Sequence, residues 1–242
     1  MDAFNTKMFE NKVAVVTGGT SGIGQAVAIA FAEKGAKVWA LGLNSQKAVF
    51  PAGLDIEAVE MDVTDKAAVD AFFAKVDRID TLFNGAGMGS VAEHELDTYK
   101  KVLEVNLTSV FYISEVAAKA LAKSDNPSII NVSSLYAQFG SALAPAYSCS
   151  KGAIDQLTFS HALSMSAANI RVNAVAPGWI DTPLIQPLKD MPEVFGGIMA
   201  RSPMQRLGKP EEIANVVLFL ASDAASFVNG AIIKVDGAYS IF

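Results

Sequence analysis

The stretch "VAVVTGGTSGIGQAVAIAF", residues 13–31, passes without a break from one kind of structure into another. Its first residues are apolar and β-branched, as in a strand buried on both faces. Its last residues place apolar side chains at helical spacing, and the pattern stops at Gly35. Between them lie Gly18, Gly22 and Gly24, spaced GxxxGxG. Glycines let a chain turn sharply and approach a ligand closely. A helix that begins here offers unpaired N–H groups and its positive dipole end to an anion. A tight turn with no ligand would use the same glycines, but the strand before and the helix after favour a dinucleotide pyrophosphate site. A P-loop is excluded, because no Gly-Lys-Ser/Thr follows.

Outward from this turn, strand and helix patterns alternate. Residues 12–17 form the first strand, and "AKVWALG", "IEAVEMDV", "IDTLFNGAG", "PSIINVSS", "IRVNAVAPG" and "AIIKVDG" read as six more. Helical periods fall at residues 65–76, 96–121, 146–168 and 210–222. Such alternation implies an α/β, single-domain Rossmann fold over residues 1–242. Its doubly wound parallel sheet has about seven strands, with helices on both faces. Ligands are then expected at the carboxyl ends of the strands. "LNSQKAVFPAGLD" after the second strand has no helical period and is expected to be a loop. Residues 180–208 are rich in proline, glycine and methionine and interrupt the alternation, as a lid over a substrate would.

Composition narrows the functional classes. Of 242 residues, 51% are hydrophobic and 18% charged, so a folded core is expected. The net charge of -6 and the lack of any basic cluster argue against a nucleic-acid partner. No apolar run reaches the ~18 residues of a membrane span, and the first residues lack the plan of a signal peptide. A single cysteine forms no internal disulfide, and a cytoplasmic location is the default. With two histidines far apart in sequence and one cysteine, no spacing resembles a zinc site, and no metal is expected. A serine hydrolase would want a GxSxG elbow, and none occurs.

Seven motifs in order cover essentially the whole chain: "TGGTSGIG" (17–24), "MDVTD" (61–65), "NGAG" (84–87), "EVNL" (104–107), "INVSS" (130–134), "AYSCSK" (146–151) and "VAPGWIDTP" (175–183). On these the chain strongly resembles the classical short-chain dehydrogenase/reductase family. The resemblance implies an oxidoreductase that moves a hydride between a nicotinamide and a carbonyl or secondary-alcohol carbon. It also implies a catalytic set of Asn106, Ser134, Tyr147 and Lys151. Tyr147 and Lys151, four apart, share a helix face. A free phenol, with a pKa near ~10, is a poor base at neutral pH, and an adjacent ammonium lowers that value. The resemblance further gives Lys151 the nicotinamide ribose, Ser134 the substrate oxygen, and Asn106 a water in a proton relay.

Cofactor contacts carried over by position are Gly18, Ser21, Gly22, Ile23, Gly24, Leu43, Asp62, Val63, Asn84, Ala86, Gly87, Tyr147, Lys151, Pro177, Gly178, Ile180 and Thr182. Gly85 departs from the family, most of which has a second asparagine there. The second strand ends in Gly42 and Leu43, with neither an acid for a 2′-hydroxyl nor an arginine for a 2′-phosphate. The pattern leans to NAD(H) over NADP(H). Lys47 or backbone amides would be the features to overturn that.

Tyr136, Gln138, Met88 and Trp179 are expected to contact the substrate, a small alcohol or ketone. Cys149 is expected to be a packing residue, and His161 structural or exposed. The resemblance implies a homodimer or homotetramer through the helices at 96–121 and 146–168. Two rival readings are a 3-oxoacyl-carrier-protein reductase using NADPH and a non-catalytic dinucleotide-binding regulator. The first would need a basic docking patch near the lid, which offers only Lys189, Arg201, Arg206 and Lys209.

Overall fold

The first strand, β1 (Val13–Thr17), is an interior strand of the sheet and contributes to both cores. Its side chains alternate between two faces. Ala14 and Val16 join one apolar core and Val15 joins the other. A computed structural model describes Asn5 and residues 7–242. In it β1 is flanked by β2 (Lys37–Gly42), β3 (Ile56–Glu60), β4 (Thr81–Asn84), β5 (Ser128–Val132), β6 (Arg171–Pro177) and β7 (Ile232–Val235). They form one seven-stranded sheet in the order β3-β2-β1-β4-β5-β6-β7, with every neighbouring pair parallel.

Helices cover both faces. On one, α1 (Gly22–Glu33) packs against α8 (Pro210–Ala221), around fully buried Phe31, Ile213 and Val217. On the other lie α2 (Lys66–Phe73), α4 (Ser109–Leu121) and α5 (Pro145–Ser164), whose core includes Ile113, Leu121 and Leu82. Each such side chain removed from water contributes about 1.5–3 kcal/mol. The order of strands reverses at the β1–β4 junction, and this crevice lies above the strand ends where ligands bind in open α/β sheets.

Two departures from the periodic pattern matter. No α-helix joins β2 to β3, as expected; a single 3-10 turn at Ser45–Lys47 lies there. The helix expected over 96–121 is not uniform. It runs as α3 (Leu96–Leu103), a π-helical turn (Glu104–Thr108) and then α4. Apolar periodicity cannot reveal one inserted residue, but π-turns of this kind are frequent at functional sites. Between β6 and α8 lie the short α6 (Gln186–Lys189) and α7 (Pro192–Ala200), which begin at or next to a proline. Among the described residues no helix is long and apolar enough to cross a membrane.

Candidate active site

The glycine turn behaves as its spacing demands. Gly18 has φ +66°, and a Cβ there would lie 2.7 Å from the Gly85 carbonyl group. A Cβ on Gly24 would stand 2.2 Å from the Gly18 oxygen, so only glycine lets α1 start this close to β1. Ser21 is the exposed N-cap of α1, and its hydroxyl makes no cap bond. The leading amides of α1 therefore receive nothing from a side chain, which suits a pyrophosphate. Thr182 faces this turn across the crevice; a Cβ at Gly22 would be 3.5 Å from its side chain. This cradle fits a dinucleotide.

The other cofactor positions divide by side chain and main chain. Asp62 is exposed, and its carboxylate accepts from the Thr64 amide and hydroxyl; Val63 is buried beside it. The Asn84 amide nitrogen donates to Asn131 (2.9 Å) and Ser114 (3.0 Å) inside the core, while its buried Oδ1 has no partner among the described residues. Ile180 is buried in the core on the α1 side, and its backbone bridges to Gly208. At Ile180 the main chain is what remains for a ligand. Ile23, Ala86, Gly178 and Thr182 are half-buried, Pro177 is buried and Gly87 is exposed. Gly85 has a steric cause: a Cβ there would stand 2.4 Å from the ring of Phe83, which is fully buried.

An acid missed in the sequence lies beside the end of β2. Leu43 is 58% exposed and offers no charge. Glu60, at the end of β3, pairs in register with Gly42. Its carboxylate accepts from the Asn44 amide (3.0 Å) and the Ser45 amide (2.7 Å). Those bonds hold its pKa below the usual carboxylate range. Only strand register brings Glu60 here, so local sequence near Leu43 carries no sign of it.

Tyr147 and Lys151 come together on α5, whose first residue is Pro145. The Lys151 Nζ lies 5.4 Å from the Tyr147 ring centre and donates to the Val132 carbonyl (2.7 Å). Burial brings it down to about 8, and nearby Asp155 opposes this. Ser134 is buried beside them; its hydroxyl accepts from the Tyr136 amide at 3.1 Å. Burial pushes the Tyr147 phenol up to about 12, with Tyr136 and Glu93 adding to the rise and Ser134 opposing it. Desolvation is the largest of these causes, and positive charge beside the phenol acts in the opposite direction.

Asn106 sits on the π-turn, fully buried. Its side chain both accepts from the Met88 amide and donates to the Met88 carbonyl, each at 2.8 Å, and it also donates to Ser150. It thus clamps the Gly87–Met88 segment beside Lys151. A Cβ on Gly87 would be 3.5 Å from Asn106 Oδ1 and 3.9 Å from Lys151 Nζ. These bonds tie the Asn106 side chain to both the Met88 backbone and the Ser150 hydroxyl.

A second unforeseen residue is Glu93, only 1% exposed. Its carboxylate accepts from the Tyr147 amide (2.9 Å) and from the Ser90 amide (3.0 Å). A carboxylate from another segment therefore caps the helix that carries Tyr147.

The expected substrate residues fall into two groups. Tyr136 stacks edge-on to both Tyr147 (6.2 Å between ring centres) and Trp179 (5.9 Å), forming one aromatic wall. Trp179 in turn meets Tyr239 and borders a cavity of about 300 Å³ that also touches Met204 and Arg206. Gln138 is exposed, and Met88 is half-buried under the Asn106 clamp. Cys149 is exposed, not packed, because two residues past Tyr147 the helix faces outward. His161 is buried and stacks on Phe111. Among the described residues no group of histidine, cysteine and acids could hold a metal.

Residues 18–240 match the family model described as enoyl-(acyl carrier protein) reductase. The chain is 41% identical to cis-4-hydroxycyclohexanecarboxylate dehydrogenase of Sinomonas cyclohexanicum, over 96% of this chain and 98% of that one. It is 37% identical to a 3-oxoacyl-[acyl-carrier-protein] reductase of Thermotoga maritima, over 96% and 99%. A crystal structure from Beutenbergia cavernae, provisionally described as an NAD(P)-dependent gluconate 5-dehydrogenase with NADP at low occupancy, superposes with a TM-score of 0.91 at 32% identity, covering 98% of this chain and all of the other. With the seven-stranded sheet and the glycine cradle, these likenesses place the molecule: it is an NAD(P)-dependent oxidoreductase of alcohol and carbonyl groups, and it belongs to the short-chain dehydrogenase/reductase family.

Proposed function

We propose that this chain is an NAD-linked dehydrogenase of secondary alcohols in which Tyr147 carries the proton. The observation that supports the cofactor choice most is Glu60. The Asn44 and Ser45 amides are the groups that could receive a 2′-phosphate, and they already bind a carboxylate. A phosphate would meet that negative charge, whereas a neutral ribose hydroxyl finds an acceptor. Lys47, the first basic residue after β2, is exposed on the adjoining 3-10 turn. When bound, the nicotinamide supplies the two-electron acceptor. Ser134 places the carbinol oxygen, and Tyr147 exchanges the proton with it. Lys151 holds the ribose beside it and contributes positive charge. Asn106 fixes the Gly87–Met88 segment against Lys151. Gly18, Ser21, Gly22, Ile23 and Gly24 hold the pyrophosphate, Asp62 and Val63 the adenine. Pro177, Gly178, Ile180 and Thr182 surround the nicotinamide, and residues 180–208 cover the substrate.

The relative of known name acts on a ring carbinol, and the aromatic wall of Tyr136 and Trp179 suits an alicyclic alcohol. A 3-oxoacyl-carrier-protein reductase is less well supported. Two of the four lid cations are already paired, Lys189 with Asp181 and Arg206 with Glu212. A homodimer through α4 and α5 is favoured by exposed Phe111, Phe159 and Leu163 on those helices, in a cytoplasmic setting. The test is a screen of cyclic secondary alcohols, polyols and hydroxy acids with NAD and NADP, read at nicotinamide absorbance. Turnover of an alicyclic alcohol with NAD preferred supports the reading. Preference for NADP with an acyl-carrier thioester would replace it.

A further inference from the structure

Arg201 differs from the other cations of its segment. It caps α7, is exposed, and has no salt bridge among the described residues, while Arg206 five residues on is held by both oxygens of Glu212. Its guanidinium carbon instead lies 5.0 Å from the ring centre of Phe139 and 4.9 Å from that of Tyr239. Phe139 follows Tyr136 in the loop after Ser134, and Tyr239 meets Trp179. Arg201 therefore sits at the far end of the aromatic wall that starts at Tyr147. Burial raises the Tyr136 phenol, and the charge of Arg201 opposes that rise.

Stacking engages the flat faces of a guanidinium and leaves its N–H edge free. That edge matches a carboxylate in a two-pronged geometry. Contact with two rings holds the group near one place, so less ordering is needed on binding. A lone arginine, with no lysine or helix start beside it, suits a single negative charge better than a phosphate dianion.

We propose that Arg201 is the carboxylate anchor of the substrate site, and that the substrate class is a hydroxy or oxo acid whose carboxylate lies across the Tyr136 ring from the reacting carbon. This rests on the reading of Tyr147 as the proton carrier, which fixes where that carbon sits. The acid is held at both ends: its carbinol between Ser134 and Tyr147, its carboxylate at Arg201. The apolar middle lies along Tyr136 and Trp179. A neutral alcohol of the same size would bind with only one end fixed.

The matched probes are a long-chain secondary hydroxy acid, 10-hydroxyundecanoate, and its methyl ester, which share the carbinol, differ in charge and are long enough to run along Tyr136 and Trp179. The wild-type kcat/KM should favour the acid by about tenfold or more, the value of a charge-assisted hydrogen bond. Arg201→Gln should bring that ratio towards one, mainly by raising KM for the acid, and Arg201→Lys should recover part of it. A wild-type ratio near one, or a parallel loss for both probes in R201Q, would mean that Arg201 only staples the segment to the wall. A second readout does not need turnover: quenching of tryptophan fluorescence by the acid in the NAD complex, expected in wild type and weakened at least tenfold in R201Q. Ester turnover without acid preference refutes the anchor and leaves the dehydrogenase reading standing. Acid binding that depends on Arg201, with no oxidation of either probe, refutes that reading and leaves the anchor.

Discussion

Glu93→Gln removes one charge and keeps the shape of the side chain. In the native protein both carboxylate oxygens accept amide protons, one from Ser90 and one from Tyr147. Glutamine has a single acceptor oxygen and presents N–H donors on the other side. One of the two amides, both in largely buried surroundings, is left facing a donor. A hydrogen bond to a charged group contributes about 1.5–3 kcal/mol. At roughly 2–4 °C per kcal/mol for a chain of this size, the melting temperature should fall by about 3–12 °C. The second effect is electrostatic and has a definite sign. The negative charge of Glu93 raises the Tyr147 phenol. Without it the phenol ionises more readily, so the acidic limb of alcohol oxidation, which needs the phenolate, should move to lower pH. The assays are thermal unfolding and the pH profile of kcat/KM. A lower melting temperature with an unmoved acidic limb would refute the electrostatic half; an unchanged melting temperature would refute the capping half.

Two other substitutions probe features absent from any local motif. Glu60→Ala frees the Asn44 and Ser45 amides, and the kcat/KM ratio of NADP over NAD should rise by about tenfold or more; an unchanged ratio would show that Glu60 does not set the choice. Gly85→Asn drives a Cβ into the Phe83 ring and should cost about 1–3 kcal/mol by overpacking, measured in urea. Combining it with Phe83→Val should not recover that loss, because the added Cβ still meets the Thr17 carbonyl oxygen at 2.8 Å.

Much of the architecture was readable because it depends on local periodicity. The seven strands, the loop after β2 and the glycine turn all follow from spacing that neighbouring residues enforce. Asn106 was also readable as a special residue, but its task was not. The π-turn that aims it at Met88 is one residue of extra winding, invisible to an apolar period. Glu60, Glu93 and Arg201 were unreadable for a different reason. Each acts on a distant segment: Glu60 through strand register, Glu93 across the crevice to α5, and Arg201 through stacking on loops from two other parts of the chain. The Tyr147 pKa also resisted sequence reasoning. Charge can be counted from residue types, but desolvation, the largest cause of the rise, depends on the packed surroundings.

The most direct test of the central claim is Tyr147→Phe, which deletes one hydroxyl and preserves the ring against Tyr136. NADH affinity by fluorescence titration should stay within about twofold of wild type, because the contacts of the cradle and Lys151 remain. Turnover of a secondary alcohol should fall by about a hundredfold or more, the usual contribution of a positioned acid–base group. Near-normal turnover in this variant, with cofactor binding intact, would contradict the assignment of Tyr147 as the proton carrier.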